Sequence, residues 1–203
     1  MKTKVVRSKK RISAYQNKGL TSLPASCLAL ETWETSKLQR YNPHMFLAVR
    51  TISDRCSQGQ MEDTAGPATV ALLRQQWPDA EIRTLILPDN EDVIVSMLEK
   101  LTRDTPALIL TVGGTGLGPR DVTPEATRRV LDREAPGLAE AMRSLGAQRN
   151  PYAWLSRGVA GLRGATLIVN LPGSRRGAEE SLASILPLLR HGLETIAGSQ
   201  IHP

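Results

Sequence analysis

A glycine-rich segment at 113–121 holds the residue types best suited to binding a phosphorylated ligand. It reads GGTGLGPRD and lies between a short apolar run and the start of a predicted helix. Glycines let the backbone approach an anion closely, and the N-terminus of a helix attracts negative charge. Arg120 adds a fixed positive charge, and Asp121 adds a carboxylate that can hold a magnesium ion bridging phosphates.

The spacing of these glycines matches neither of the two common phosphate-binding loops. No Gly-Lys-Ser/Thr follows, and the glycines do not fall as G-x-G-x-x-G. A purely structural turn is therefore an open alternative. A helix start directly behind the loop favours a binding site, with Thr123 as its predicted N-cap and Pro124 at its first position.

A second carboxylate, Asp89, follows a predicted strand in the same way. Two carboxylates beside a phosphate-binding loop suit magnesium-assisted phosphoryl or nucleotidyl transfer, because the metal neutralises charge and orients the leaving pyrophosphate. Two plainer explanations stay open at this point. Asp89 can form an ordinary Pro-Asp turn with Asn90, and Asp121 can pair with Arg120 or act as a second helix cap.

Three other polar segments are candidates for ligand contacts. Ser53-Asp54 follows the first predicted strand, and a loop this polar either binds a ligand or is a plain connection. Ser156 has no evident His/Asp partner, so hydrogen bonding to a ligand or to backbone is a better interpretation than a nucleophile. Gly173-Ser174 can cradle an anion ahead of the last predicted helix.

The elements that must position these residues alternate along the chain. Apolar runs predict strands at 46–52, 81–87, 107–111 and 165–170, and helical spacing predicts helices at 64–76, 91–102, 124–133, 138–144 and 177–196. The stretch 158–164 reads as irregular, and Pro187 is expected to kink or break the last helix.

This alternation predicts an α/β fold with a mostly parallel sheet and helices on both faces. Ligands of such sheets bind outside the carboxyl ends of the strands. We therefore expect the polar segments that follow the strands to meet on one rim.

Charge divides the chain near residue 44. Residues 1–44 hold nine Lys/Arg against two acidic residues, a net charge of +7, whereas the remainder carries −1 of the total +6. Since the body is nearly neutral and only 3% of residues are aromatic, a nucleic-acid-binding body is not favoured. Cys27 and Cys56 lack metal-ligand spacing and suggest free thiols in a reducing compartment.

The charge division suggests three segments: a basic, flexible extension at 1–44, a domain at 45–198 and a tail at 199–203. No apolar stretch reaches the roughly 18 residues of a membrane span. A cytoplasmic location is expected. Alternatives for the first segment are an organellar targeting peptide, or a dispensable extension before a functional start at Met45.

Taken together, the ordered motifs resemble the molybdopterin-binding family, which includes the MogA/MoaB-type molybdopterin adenylyltransferases, the gephyrin G domain and its plant counterpart. The resemblance covers about 46–198. It rests on SDRCSQGQMEDTAGP at 53–67, LPDN at 87–90, TVGGTGLGPRDVTPEAT at 111–127, PG at 136–137 with MR at 142–143, LSR at 155–157, AG at 160–161 and LIVNLPGS at 167–174.

The resemblance implies a three-layer α/β fold, assembled as a homotrimer or homohexamer, and a reaction. The terminal phosphate of molybdopterin attacks the α-phosphate of ATP with Mg²⁺ present, giving adenylyl-molybdopterin and pyrophosphate, and a partner enzyme then inserts molybdate. It implies that Asp89 and Asp121 are the catalytic, metal-directed carboxylates. The implied substrate-binding residues are Ser53, Asp54, Gly113, Gly114, Thr115, Gly116, Arg120, Glu125, Ser156, Pro172, Gly173 and Ser174.

One departure and three rival functions stay open. Many members have Pro-Asp-Glu where this chain has Pro88-Asp89-Asn90, so any role of the neighbouring carboxylate passes to Glu91 or vanishes. The rivals are a non-catalytic molybdopterin-binding or scaffold member of the family, a nucleic-acid-associated protein acting through the basic extension, and a related domain acting on pyridine-nucleotide metabolites.

Overall fold

The computed structural model describes residues 45–198, which form a six-stranded sheet with helices on both sides. The strands are β1 (Phe46–Ile52), β2 (Glu81–Leu87), β3 (Leu108–Val112), β4 (Arg133–Glu134), β5 (Ala160–Arg163) and β6 (Thr166–Leu171). The helices are α1 (Asp54–Ser57), α2 (Ala65–Gln76), α3 (Glu91–Arg103), α4 (Thr123–Val130), α5 (Pro136–Ala147) and α6 (Arg175–Ile196), with a 3₁₀ helix at Pro151–Leu155. The predicted extension, the tail and Cys27 lie outside the described residues.

The sheet runs in the order β2-β1-β3-β6-β5-β4. Its first four strands are parallel, whereas β5 is antiparallel to β6 and β4 is antiparallel to β5. The parallel strands β1, β3 and β6 are buried along almost their whole length, because helices cover both faces of this part of the sheet. The predicted α/β class with a mostly parallel sheet is confirmed.

Helices α3 and α4 cover one face of the sheet, and their apolar side chains complete a buried cluster there. Ile94 and Leu98 of α3 join Val130 of α4 against Ile109 and Ile168 of the central strands. The spacing of Ile94 and Leu98 is that of one helical stripe, which is why this segment folds as an amphipathic helix. Helices α2, α5 and α6 pack together on the other side.

Three local predictions are wrong, and a fourth, at Pro187, is wrong in part. The helix expected to run to residue 133 ends at Val130, and Arg133–Glu134 forms strand β4 instead. The stretch predicted to be irregular, 158–164, contains strand β5, with which β4 pairs. A kink or a break was expected at Pro187, and the break does not occur, since α6 is continuous through that residue. Thr123 is the first residue of α4 rather than its cap, since Val122 precedes the helix without a side-chain hydrogen bond.

Within 45–198, no helix combines the length and the apolar character that crossing a membrane requires.

Candidate functional site

The polar segments that follow β1, β2, β3 and β6 meet at the carboxyl edge of the sheet, as the sequence predicted. They line two neighbouring cavities of about 380 Å³ and about 820 Å³. The smaller cavity extends over α5, the 3₁₀ helix and the start of α6, and the larger one extends over α1 and the segment before α2. Both are lined by Gly114, Asp121, Gly173 and Ser174, so the two cavities adjoin at these four residues.

Glycines are required where the two cavities adjoin, because backbone segments approach each other there. Gly113 has φ +113° and Gly114 has φ +63°, both in the region that L side chains rarely adopt. A Cβ on Gly113 would lie 2.3 Å from the carbonyl oxygen of Ile52, and a Cβ on Gly173 would lie 3.1 Å from the Cα of Gly113. The loop after β3 thus lies against the ends of β1 and β6 with no room for side chains.

Asp54 and Asp89 hold the β1 and β2 loops together by a reciprocal pair of hydrogen bonds. The backbone N–H of Asp89 donates to Oδ1 of Asp54 at 3.0 Å, and the N–H of Asp54 donates to Oδ2 of Asp89 at 2.8 Å. Arg120 forms an ion pair with the remaining oxygen of Asp54 and lies 3.4 Å from the carbonyl oxygen of Asp89. The loops after β1, β2 and β3 therefore meet at Asp54 and Asp89.

The structure resolves the alternatives left open for the residues beside Asp89. Asn90 caps α3, its side-chain oxygen accepting from the N–H of Val93 at 3.1 Å. Glu91 forms an ion pair with Arg129 of α4 at 3.0 Å and lines neither of the two large cavities. The carboxylate that many family members have beside this aspartate thus has no substitute in Glu91.

The environment of Asp89 raises the pKa of its carboxyl group above the ordinary aspartate value. Burial is the main cause, because it disfavours the charged form. The hydrogen bond from the Asp54 N–H lowers this pKa, and the negative charges of Asp54 and Asp121 raise it again, while Arg120 opposes them. A cation between these carboxylates would favour the ionised form.

Asp121 folds back under its own loop. Its N–H donates to the carbonyl oxygen of Gly118 at 3.0 Å, and its Oδ2 accepts from the N–H of Gly118 at 2.8 Å. A Cβ on Gly116 would lie only 2.9 Å from Asp121 Oδ2, so the carboxylate packs against a glycine that has no side chain to displace it. The suggested pairing of Asp121 with Arg120 is wrong, since Arg120 pairs with Asp54.

Asp89 and Asp121 fit a magnesium ion shared with a substrate. Within residues 45–198, no three His, Cys, Asp or Glu side chains group closely enough to form an all-protein metal site. Mg²⁺ commonly takes only one or two carboxylates and completes its shell with water and substrate phosphates. Each of these two aspartates uses one oxygen in the hydrogen bonds described above, which leaves the other oxygen for such a ligand.

Several predicted binding residues lie along the smaller cavity. Ser156, Pro172, Gly173 and Ser174 all line it, and so do Gly114, Thr115 and Gly116 of the loop. Ser174 also caps α6, its hydroxyl oxygen accepting from the N–H of Gly177 at 3.1 Å. The N-terminus of this 22-residue helix therefore lies where the two cavities adjoin. Ser53 and Asp54 line the larger cavity instead.

Arg157 was not among the predicted site residues. Its guanidinium donates to the carbonyl oxygens of Gly116 and Asp121 and to the carboxylate of Glu125. Glu125, a predicted substrate-binding residue, lines neither of the two adjoining cavities; it lies behind the loop against Arg157, where both residues line a third cavity of about 380 Å³. The signal in the sequence was the LSR motif at 155–157, which contains Arg157 and is one of the motifs on which the resemblance rests.

Arg143 and Asn170 were likewise not predicted as site residues, and both line the smaller cavity. Arg143 of α5 donates to the carbonyl oxygens of Ser156 and Gly158 at 3.3 and 3.0 Å. The side-chain amide of Asn170 donates to the hydroxyl of Thr111 at 2.8 Å, and its oxygen accepts from the N–H of Val159 at 3.1 Å. These bonds tie the wall of the cavity to α5 and to the central strands.

Comparisons with known proteins identify the family. Residues 48–191 match the family described as "probable molybdopterin binding domain". The chain is 42% identical over 149 residues to the molybdenum cofactor synthesis protein cinnamon of Drosophila melanogaster, a match that covers 73% of this chain and 25% of that protein. It is 36% identical over 155 residues to a molybdopterin adenylyltransferase of Helicobacter pylori, covering 75% of this chain and 88% of that enzyme.

The fold is also similar to solved structures. The molybdopterin biosynthesis enzyme MoaB of Thermus thermophilus superposes with a TM-score of 0.71 at 47% sequence identity, and the match covers 76% of this chain and 97% of that one. The chain spans about a quarter of the length of the Drosophila relative, whereas it spans nearly all of the Thermus protein.

Proposed function

This chain belongs to the molybdopterin-binding family, and we propose that it is a molybdopterin adenylyltransferase of molybdenum cofactor biosynthesis. It would transfer the adenylyl group of Mg-ATP to the terminal phosphate of molybdopterin and release pyrophosphate. The observation that carries the proposal is the pair of adjoining cavities that share a glycine loop and the carboxylate of Asp121. A reaction that joins two phosphorylated substrates requires two binding spaces that meet at the reacting phosphates.

The residues at the shared boundary suit phosphate groups. Gly113 and Gly114 let a phosphate approach the loop backbone, and the N-terminus of α6 presents its positive dipole end there at Ser174. In the proposed step, an oxygen of the molybdopterin phosphate forms a bond to the α-phosphorus of ATP. The bond between that phosphorus and the oxygen that bridges to the β-phosphate breaks, and pyrophosphate leaves with the bonding electrons.

No protein nucleophile is needed for this displacement, so the contribution of the protein is positioning and charge neutralisation. Asp89 and Asp121 would hold Mg²⁺, which supplies charge neutralisation at the phosphates. Arg120 lines neither cavity, but its ion pair with Asp54 places a further positive charge next to Asp54 and Asp89, which line the larger cavity. Ser53, Asp54, Thr115, Gly116, Glu125, Ser156, Pro172 and Gly173 complete the proposed set of binding and supporting residues.

The direct test is pyrophosphate release from molybdopterin and Mg-ATP by the wild-type protein and by Asp121→Asn. The amide oxygen of asparagine can still accept from the N–H of Gly118, so the loop should persist while the negative charge is lost. Losing one group preorganised for charge in the transition state lowers kcat by about 10²–10³-fold. Wild-type turnover in the variant would remove Asp121 from the mechanism.

The same experiment separates the rival functions. Release that requires molybdopterin and nearly vanishes in Asp121→Asn supports the adenylyltransferase. Binding of molybdopterin without release, with or without ATP, would instead support a non-catalytic binding or scaffold member of the family.

We also propose that the molybdopterin-binding domain comprises residues 45–198, that it works in the cytoplasm as a homotrimer or homohexamer, and that a molybdate-insertion enzyme uses its product. Light scattering of the purified protein decides between trimer and hexamer. Removal of residues 1–44 should leave pyrophosphate release unchanged if that segment is dispensable, and a loss of release would contradict this.

A further inference from the structure

We propose that Arg157 is a positioning residue for the proposed adenylyl transfer, fixing the loop that carries Asp121. The expected effect on activity rests on the proposed function, whereas the anchoring of the loop rests on hydrogen-bond geometry. Arg157 lies behind the loop and lines neither of the two cavities that adjoin at Gly114 and Asp121; together with Asp121 and Glu125 it lines a third cavity of about 380 Å³. Its side-chain hydrogen bonds all go to groups of the protein itself, so we infer that it acts through Asp121.

One guanidinium connects both ends of the loop tip. Nε of Arg157 donates to the carbonyl oxygen of Gly116 at 2.6 Å, and one terminal nitrogen donates to the carbonyl oxygen of Asp121. The other terminal nitrogen donates to the carboxylate of Glu125 at 2.5 Å, which anchors the assembly to α4. The planar, rigid fork of arginine makes such a three-way contact, and the point charge of lysine cannot reproduce its geometry.

The backbone of Arg157 reinforces the same connection. Its N–H donates to the carbonyl oxygen of Thr115 at 2.9 Å, so side chain and backbone together hold residues at three positions of the loop. Arg143 of α5 binds the carbonyls of the two residues that flank Arg157. The anchor is therefore itself attached to a helix, and Arg157 can hold the loop rather than move with it.

The tip of the loop is exposed, and its side-chain attachments to the rest of the domain are the ion pair of Arg120 with Asp54 and the hydrogen bonds of Arg157. Leu117 is 66% exposed, and Gly118, Pro119 and Arg120 are exposed as well. The Asp121 side chain is held by the N–H of Gly118 within the same exposed turn. Val122, which follows Asp121, packs against the core, but among the contacts found within residues 45–198 the guanidinium of Arg157 makes the one hydrogen bond to Asp121 that comes from outside this turn.

The test compares Arg157→Ala and Arg157→Lys with the wild-type protein in pyrophosphate release from molybdopterin and Mg-ATP. A misplacement of about 1 Å in a catalytic group lowers rates on the order of 10²-fold, so kcat of Arg157→Ala should fall by about that factor while KM for ATP changes little. Arg157→Lys keeps the charge but not the fork and should restore little of kcat.

Arg163 provides a matched control. It is also an arginine in an ion pair, to Asp132 at 2.7 Å, but it lies in β5 away from both cavities. Arg163→Ala and Arg163→Lys should leave kcat and KM unchanged. A kcat that is the same in Arg157→Ala as in wild type, or that Arg157→Lys fully restores, would overturn the proposal.

Hydrogen–deuterium exchange gives a readout that does not depend on activity. The amides of Gly118 and Asp121 are hydrogen-bonded within the loop and should exchange faster in Arg157→Ala, whereas the amides of α6 should not change. Unchanged exchange in the loop would overturn the anchoring role. If wild-type protein releases no pyrophosphate, the proposed function fails, and the exchange result alone decides whether Arg157 anchors the loop.

Discussion

Replacing Gly113 by alanine should destabilise the protein for two separable reasons, backbone strain and a backbone contact. The φ of +113° is a conformation that non-glycine residues adopt only at a cost of about 1–3 kcal/mol. The new Cβ would lie 2.3 Å from the carbonyl oxygen of Ile52, where real contacts stay above 3.0 Å. That oxygen belongs to the end of β1, so no flexible side chain can move aside.

Forcing atoms into a packed site adds about 1–3 kcal/mol, so Gly113→Ala should lower the free energy of unfolding by about 2–6 kcal/mol in all. This is a large share of the roughly 5–15 kcal/mol that stabilises a typical domain. Urea unfolding followed by circular dichroism measures the change, provided the slope with denaturant stays constant.

Two other glycines separate the contributions. Gly164, in the turn between β5 and β6, has φ +56°, but a Cβ added there would meet no atom within 4 Å, so alanine should lose only the strain, about 1–2 kcal/mol. Gly192 in α6 has ordinary helical geometry and open space, and alanine there should gain about 0.5–1 kcal/mol. If Gly113→Ala loses no more than Gly164→Ala, the close approach of loop and strand is not as described.

Two predictions concern the ionisation of Asp89 and one concerns Thr123. Because burial raises the pKa of Asp89 in the metal-free protein, protons should compete with Mg²⁺ for this carboxylate, and Mg²⁺ binding should weaken with decreasing pH before the ordinary aspartate pKa of about 4 is reached; binding that weakens only at that ordinary value would contradict this. With a raised pKa in the folded state, Asp89 contributes stability below its unfolded pKa, where it is protonated, and this stability is lost as pH rises through the folded pKa. Asp89→Asn, which stays neutral, should therefore stabilise the metal-free protein at neutral pH but not in acid. Equal effects at both pH values would refute the assignment. Thr123 is fully buried, and its hydroxyl has no hydrogen-bond partner within residues 45–198. Thr123→Val should therefore raise the free energy of unfolding, measured with urea, by about 1 kcal/mol. A lower free energy of unfolding in the variant would reveal a bond to that hydroxyl.

The long elements were predictable because each carries its own periodic signal. Strand β1 was predicted at its observed bounds, and α3 differed from its prediction by one residue at its end, since apolar side chains recur at the spacing of a strand or of a helix. The convergence of the polar segments on one rim followed from the parallel order of the strands. The family was recognisable from motifs that occur in a fixed order along the chain, and the family match over residues 48–191 confirms it.

The wrong local predictions share a physical cause. Strands β4 and β5 have two and four residues, too few for a periodic pattern, and they exist because they pair with each other and with β6. Pro187 lies within a continuous helix because buried Ile185 and Leu189 anchor the turns on either side of it, and this packing offsets a local preference. Both outcomes depend on residues distant in the sequence.

The sequence by itself determined the order of the long strands and helices, the glycine loop between β3 and α4, and the two carboxylates that follow strand ends. These properties are local, since they follow from side-chain periodicity and from the conformations open to glycine. The tertiary structure decided which groups meet. Asp54 and Asp89 are 35 residues apart and Gly116 and Arg157 are 41 residues apart, yet each pair is hydrogen-bonded. Such bonds require the strand order and the packing of whole helices, which bring distant loops to one edge of the sheet.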